Sequence, residues 1–287
     1  MKEKIFLLVL DGIGDRGNRT SLKIARKKNL DWFAENGICG IMDPIAPGIR
    51  PGSDTAHLSI LGYNPYEIYT GRGPFEAAGV GMKIDSGDVA LRCNFATVAS
   101  DMTIIDRRAG RINEGTKELA KAIDGMELNG IKIRVKEGTE HRATLVLSGK
   151  GLSQKITDID PHSDGMKVQK AKSLEKNAEL TARVLNEFVL RSYRILDQHK
   201  INIEREKKGL KKANILLPRG AGIMPKIKNF NEKFNLSSCA IAGVGLIKGI
   251  CSLLGMKIIE VKGATGGLDT DIDAKIEKGR DALKKYD

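Results

Sequence analysis

Aromatic side chains are scarce in this chain, at 5% of 287 residues with a single Trp, so any core must be built from aliphatic groups. No run of about 18 apolar residues occurs, which argues against a membrane-spanning helix. The N-terminal Met1-Lys2-Glu3-Lys4 leads into a short apolar run that ends on Asp11 without a small-residue cleavage site, so a signal peptide is not expected. Cysteine is equally sparse. Cys39, Cys93, Cys239 and Cys251 lie far apart with no CxxC pair, which points to reduced, mostly buried thiols in a cytoplasmic protein rather than a disulfide scaffold or a zinc finger. There is no GxGxxG after a strand, so a dinucleotide site lacks support.

Basic charge, by contrast, is plentiful: 48 Lys and Arg against 36 Asp and Glu give a formal net charge of +12. Such a balance fits a nucleic acid, an anionic small substrate or a solvated basic face. The lysines are dispersed along helical stretches such as 23–28 and 205–208, without aromatic interleaving or a nucleic-acid motif, so no nucleic-acid partner is expected. A solvated face explains most of the excess, and phosphorylated metabolites fit the remainder.

Two segments carry the chemistry. Leu7-Leu8-Val9-Leu10-Asp11-Gly12 reads as a buried strand ending on an acid and a glycine turn. Pro51-Gly52-Ser53-Asp54-Thr55-Ala56-His57 reads as a turn, a hydroxyl and the first turn of a helix. An acid at a strand end and a serine at a helix N-terminus suit metal-assisted phosphoryl transfer: the carboxylate holds a cation, the cation acidifies the serine, and helix amides hold the phosphate. Each segment also has a plainer reading, as an Asp-Gly turn and as an N-cap.

The rhythm of the chain predicts strands at 5–10, 38–42, 89–98, 102–105, 131–135, 143–148, 215–217, 239–242 and 257–261. Helices are predicted at 21–36, 54–61, 114–123, 174–198, 244–254 and 271–285, and a glycine-dense loop with a short helix at 70–81. The order of strands and helix between 86 and 225 is that of a compact α+β unit, so the expected fold is an α/β domain, residues 1–85 and 226–287, interrupted by an inserted α+β domain at 86–225.

Eight motifs in order carry a resemblance to a known family: 10–15, 52–57, Tyr69-Thr70-Gly71-Arg72-Gly73-Pro74-Phe75-Glu76, Leu91-Arg92-Cys93-Asn94-Phe95, Asp106-Arg107-Arg108-Ala109-Gly110-Arg111, Glu140-His141-Arg142-Ala143, Asp158-Ile159-Asp160-Pro161-His162 and Arg219-Gly220-Ala221-Gly222. Over most of its length the chain resembles the archaeal type of cofactor-independent phosphoglycerate mutase, within the alkaline phosphatase superfamily. The resemblance implies an alkaline-phosphatase-like core with an inserted phosphotransferase domain. It implies an isomerase of glycolysis and gluconeogenesis that interconverts 3-phosphoglycerate and 2-phosphoglycerate through a phosphoserine and bound glycerate. It further implies two divalent ions (Mn, Mg or Zn) in the complete protein, and no 2,3-bisphosphoglycerate. Ser53 would carry the phosphoryl group, and Asp11 with Ser53 would ligate one metal.

Residue chemistry agrees with this in part. Arginine forks suit phosphate and carboxylate. Arg107, Arg108 and Arg111 follow a predicted strand, where a solvated turn is the competing reading. Arg142 heads an apolar strand, where an arginine often snorkels. Arg219 precedes a glycine-rich turn. His141 and His162 are the expected proton shuttles. His57 either helps the site or packs, and His199 reads as a plain helix-end residue. Lys248 either reaches the phosphoserine or lies on the surface.

The resemblance stops short in one respect. The family's remaining metal ligands belong to the C-terminal part of its core, and no histidine follows Lys262 here. The expectation is therefore an N-terminal portion of a longer protein, inactive alone, with the absent C-terminal segment as a partner. The competing readings are another metal-dependent phosphomutase or phosphatase of the superfamily, or an inactive anion-binding fragment. The oligomeric state is left open.

Overall fold

A computed structural model describes residues 3–287. Its centre is the strand β1, Val89–Val98, ten residues that are buried on both faces. β1 is antiparallel to every neighbour. On one side lies β5 (Arg142–Ser148), followed by β4 (Ile131–Glu137) and β3 (Glu127–Leu128); β6 (Ile215–Ile223) pairs β1 on the other side, and β2 (Ile104–Asp106) pairs its last two residues. Alternation along β1 sorts the side chains. Val89, Leu91, Cys93 and Phe95 enter the main core, whereas Ala90 packs with Ala77, Ile84 and Val146 on the opposite face.

Two helices cover the first face. Helix α6, Thr116–Ile123, buries Thr116, Leu119, Ala120 and Ile123, the i, i+3, i+4, i+7 stripe of an amphipathic helix. Helix α7, Glu179–Asp197, follows a single 3₁₀ turn at Lys176–Ala178 and buries Val184, Leu185, Phe188, Val189 and Leu196. Helix α8, Lys200–Lys207, follows, with the His199 ring accepting from the Ile201 amide as its N-cap.

The second face receives α5, Gly73–Gly79, and behind it α10, Gly245–Leu253, and α3, Ser53–Ile60. Phe75, Leu58, Leu246, Ile250 and Leu254 form this smaller core. Backbones meet closely here: a Cβ on Gly249 would lie 1.8 Å from the Phe75 carbonyl oxygen. The short helices α1 (Ser21–Ile24), α2 (Lys28–Asn36), α4 (Pro65–Ile68) and α9 (Phe230–Phe234), the parallel pair β7 (Cys239–Ala240) and β8 (Lys257–Ile258), and α11 (Ile272–Ala282) complete the elements. Among the described residues no helix is long and apolar enough to cross a membrane.

The mixed α/β character and most predicted elements are present, with three corrections. Residues 5–10 and 38–42 form no strand. Ile5 donates its amide to the Asp287 carbonyl at 2.7 Å, but Ile5 to Leu10 are otherwise exposed, since among the described residues no neighbouring strand offers the two ladders an all-apolar strand requires. The helix predicted over 21–36 breaks at 25–27, where Ala25 is extended (φ −63°, ψ 145°). The terminal parallel strands are also shorter than their apolar runs.

Candidate active site

The site grows from the register of the central sheet. Arg92 on β1 lies directly opposite Arg219 on β6, and Asn94 opposite Arg142 on β5. β6 carries one extra residue at this point, a bulge around Gly220, whose φ of +62° places it in the left-handed region. A bulge re-aims side chains, and here the Gly220 amide donates to Asp158 at 2.8 Å.

Two carboxylates organise the arginines. Asp160, 1% exposed, accepts from Arg107 Nε at 2.8 Å and Nη2 at 2.7 Å in a bidentate fork. It also accepts from the His162 amide at 2.9 Å and lies 3.1 Å from Arg219 Nη1. Burial raises the Asp160 pKa, but the Arg107 hydrogen bond, the His162 amide and the nearby guanidiniums outweigh it and hold the group below the usual carboxylate range. Glu76 plays the second part, accepting from Arg72 at 2.8 Å with Arg92 Nε 3.6 Å away.

His162 bridges these groups. Its Nδ1 lies 3.2 Å from Arg219 Nη1, which can only donate, so Nδ1 accepts and Nε2 bears the proton, donated to Asp158 Oδ2 at 3.1 Å. His141 is buried at 4% exposure and its Nδ1 has no hydrogen-bond partner. Burial, then Arg142, Arg108, Arg92 and Arg111, depress its pKa to about 4, so it is neutral at pH 7. Arg92 is itself lowered to about 10 by burial and by Arg72 and Arg219, and stays charged at neutral pH.

Among the described residues four buried polar atoms in this region have no hydrogen-bond partner: Arg92 Nε, Asn94 Oδ1, His141 Nδ1, which lies 3.6 Å from Glu140, and Arg219 Nε. Among the described residues Arg108, Arg111 and Arg142 meet no carboxylate within 4 Å. A clustered excess of guanidiniums with unused donors has the chemistry to bind a small polyanion. A cleft of ≈ 360 Å³ opens beside it between Arg107, Arg108, His162 and Asp164.

Arg107, Arg108, Arg111, Arg142, Arg219, His141 and His162, chosen from separate motifs of the sequence, lie near one another in the structure. Arg72, Glu76, Arg92, Asn94, Asp158 and Asp160 were not singled out as site residues. The available signal was Arg92 and Asn94 inside an otherwise apolar ten-residue strand.

Among the described residues no hydrogen bond or ion pair links Ser53 or Asp11 to that cluster. Ser53 is exposed at the first position of α3, whose start is closed by the Gly52 amide donating to Thr55 Oγ1 at 3.1 Å. His57 Nδ1 lies 2.6 Å from the Ser53 carbonyl, which makes His57 a local brace. Asp11 is exposed in a turn before Gly12. Among the described residues no three His, Cys, Asp or Glu side chains converge as a metal site, so Asp11 and Ser53 do not themselves amount to one. Lys248 pairs with Glu260 at 2.5 Å and lines a separate cleft of ≈ 290 Å³ with Lys136, Gly138 and Gly243.

Known proteins resemble this chain in sequence and fold. The sequence profile of the 2,3-bisphosphoglycerate-independent phosphoglycerate mutases matches residues 34–202. Mutase 1 of that name from Methanocaldococcus jannaschii is 51% identical over all of this chain, which spans 71% of that relative's length. The corresponding Archaeoglobus fulgidus protein is 50% identical over 99% of this chain and 71% of its own length. Among solved structures, the cofactor-independent phosphoglycerate mutase of Thermoplasma acidophilum shares 45% identity and a TM-score of 0.68, covering 97% of this chain and 74% of that one. With the arginine pocket, the fold and these similarities in agreement, the chain belongs to the 2,3-bisphosphoglycerate-independent phosphoglycerate mutase family.

Proposed function

We propose that the chain is a phosphoglycerate mutase that interconverts 3-phosphoglycerate and 2-phosphoglycerate through a phosphoserine at Ser53, as a cytoplasmic step of glycolysis and gluconeogenesis. The observation that carries this reading is the set of orphaned buried donors on Arg92 and Arg219, facing each other across β1 and β6. A substrate with a phosphate and a carboxylate satisfies both, as well as the free forks of Arg108, Arg111 and Arg142. Family membership and four free cysteines support the rest of the assignment.

In the reaction the Ser53 Oγ–P bond forms as the substrate O–P bond breaks, and the serine proton ends on the released glycerate hydroxyl. Glycerate then turns within the arginine pocket. Its other hydroxyl attacks phosphorus, and Ser53 recovers a proton. Arginines hold the glycerate carboxylate so that it reorients without escaping. His141 and His162 are the candidates for moving the proton. Substrate that draws Arg219 away from His162 Nδ1 frees that nitrogen to accept it. Burial and the nearby arginines keep His141 neutral, and anion binding would offset the arginine part.

A divalent ion (Mn, Mg or Zn) acidifies such a serine when bound. Asp11 and Ser53 would be two of its ligands, and the described residues do not complete the set. The test is ³¹P NMR of the 287-residue chain with 3-phosphoglycerate and Mn²⁺, beside Ser53→Ala and the Methanocaldococcus jannaschii relative. The 2-phosphoglycerate signal is expected from the Methanocaldococcus jannaschii relative; any signal from the 287-residue chain should be lost in Ser53→Ala, and its absence from wild type fits the incomplete set of metal ligands. Faster turnover of a pentose phosphate would overturn the substrate assignment. Binding without turnover would leave an anion-binding role alone.

A further inference from the structure

Tyr69 stands where the helix that carries Ser53 meets the segment that braces the arginine pocket. Its hydroxyl donates to Asp54 Oδ2 at 2.6 Å. Asp54 follows Ser53, is 5% exposed, and also accepts the Thr55 amide at 3.0 Å through Oδ1. The Tyr69 ring stacks on Phe75 with centroids 6.0 Å apart and planes inclined by 7°. Phe75 is fully buried against Leu58 of the same helix α3.

On its other side Tyr69 continues into a strap pinned to β6. Thr70 Oγ1 donates to the Ile223 carbonyl at 2.6 Å. Gly71, at φ +137°, lies so near β6 that a Cβ would fall 2.2 Å from the Ala221 carbonyl oxygen. Arg72 then donates to Glu76, the carboxylate beside Arg92. One continuous segment, residues 69–76, thus touches the turn of the nucleophile and the two strands that bear Arg92 and Arg219.

We infer that Tyr69 is a positioning residue for Ser53: its hydroxyl, through Asp54, fixes the first turn of α3 in register with the arginine pocket. The proposal rests on the mutase reading, because a fixed distance between Ser53 and the anion pocket matters most when a phosphoryl group crosses it. A side chain held only by packing would have no use for the phenol–carboxylate bond, since stacking on Phe75 already half-buries the Tyr69 ring.

Tyr69→Phe removes that hydroxyl and keeps the ring. The experiment measures hydrogen exchange of the 53–56 amides and turnover of 3-phosphoglycerate in wild type, Tyr69→Phe, Asp54→Asn and Asp54→Ala. In Tyr69→Phe, exchange at Thr55 and Ala56 is expected to rise about fivefold or more, and kcat to fall about tenfold to hundredfold with KM unchanged, as for a small misplacement of a reacting group. Asp54→Asn keeps an acceptor for the phenol and should retain most of the activity, whereas Asp54→Ala should match Tyr69→Phe. Unchanged exchange in Tyr69→Phe, or a rise in KM in place of the fall in kcat, would overturn the proposal. If wild type does not turn over, the incomplete metal ligand set accounts for it, and the exchange comparison alone then decides whether Tyr69 holds the turn.

Discussion

Arg92 and Arg219 are direct cross-strand neighbours on β1 and β6, two guanidiniums in register with one unsatisfied Nε each. Like charges placed opposite one another cost stability. Their nearest carboxylates, Glu76 and Asp160, are each shared with another arginine, so the repulsion is only partly relieved. A fold does not gain from such a pair; an anion that fills the space between them does.

The first prediction follows from that pair. Arg92→Leu removes a partly desolvated charge and fits the strand, so the variant should be about 1 kcal/mol more stable than wild type. It should also lose most of the thermal shift that 3-phosphoglycerate confers, a shift worth about 2.7 kcal/mol at a hundredfold excess over Kd. Thermal melts with and without 3-phosphoglycerate check both halves. A less stable variant that keeps its ligand shift would show that Arg92 serves packing.

His141 gives a pH dependence with a definite sign. Its folded pKa of about 4 lies below the ordinary value of 6.5, so between these values the unfolded chain binds the proton and the folded chain does not. Stability from this group is fully present above pH 6.5 and falls as the pH drops towards 4, by up to about 3 kcal/mol. Asp160, whose pKa is lowered, loses its contribution only below the normal carboxylate range, so the two windows separate. Urea unfolding at pH 7, 6, 5 and 4.5 should give a steeper fall for wild type than for His141→Gln. The His141 ring resonance should titrate near 4 alone and higher with 3-phosphoglycerate bound.

What the sequence made legible follows from how local each signal was. The alternation in Val89–Val98 and the i, i+3, i+4 stripe of Thr116–Ile123 are properties of a few adjacent residues, and both elements form where expected. Residues 5–10 carried an equally clear apolar pattern, yet a strand also needs neighbours, and none pairs with them here. The same distinction holds at the site. Arg107 and Arg219 could be chosen from motif and residue type. Asp160, which clamps them together across 53 and 59 positions of sequence, announces itself only through tertiary geometry. Tyr69 stands in the sequence only as the first residue of a motif, because its bond to Asp54 depends on how α3 and α5 pack.

Asp160 is the next test. Asp160→Asn retains the shape and one acceptor but removes the charge shared by Arg107 and Arg219. Breaking a buried ion pair from one side costs about 3–5 kcal/mol, and the residual carbonyl and the part-exposed arginines place this variant at or below the lower end. Loss of the fork also frees Arg107 to leave the pocket, so KM for 3-phosphoglycerate should rise about tenfold or more, since a neutral amide cannot hold two guanidiniums. Steady-state kinetics together with urea unfolding check this. Unchanged KM with reduced stability would make Asp160 a purely structural anchor.

Gly249 sets two opposing effects against each other. Alanine is favoured over glycine inside a helix by about 1 kcal/mol, so propensity alone predicts that Gly249→Ala stabilises α10. The new Cβ, however, would lie 1.8 Å from the Phe75 carbonyl oxygen and 2.7 Å from the Gly79 amide nitrogen, both backbone atoms of α5 that cannot rotate away. α10 must then back off α5, loosening Leu246 and Ile250 from Phe75 and Leu58. Overpacking of this kind costs about 1–3 kcal/mol, and the missing relaxation route puts Gly249→Ala near the upper end. The steric effect therefore wins, and the variant should melt several degrees below wild type. Ser252→Ala, on the exposed side of the same helix, isolates propensity and should melt at or slightly above wild type. If Gly249→Ala proves as stable as Ser252→Ala, α10 is not held against α5 by that backbone contact.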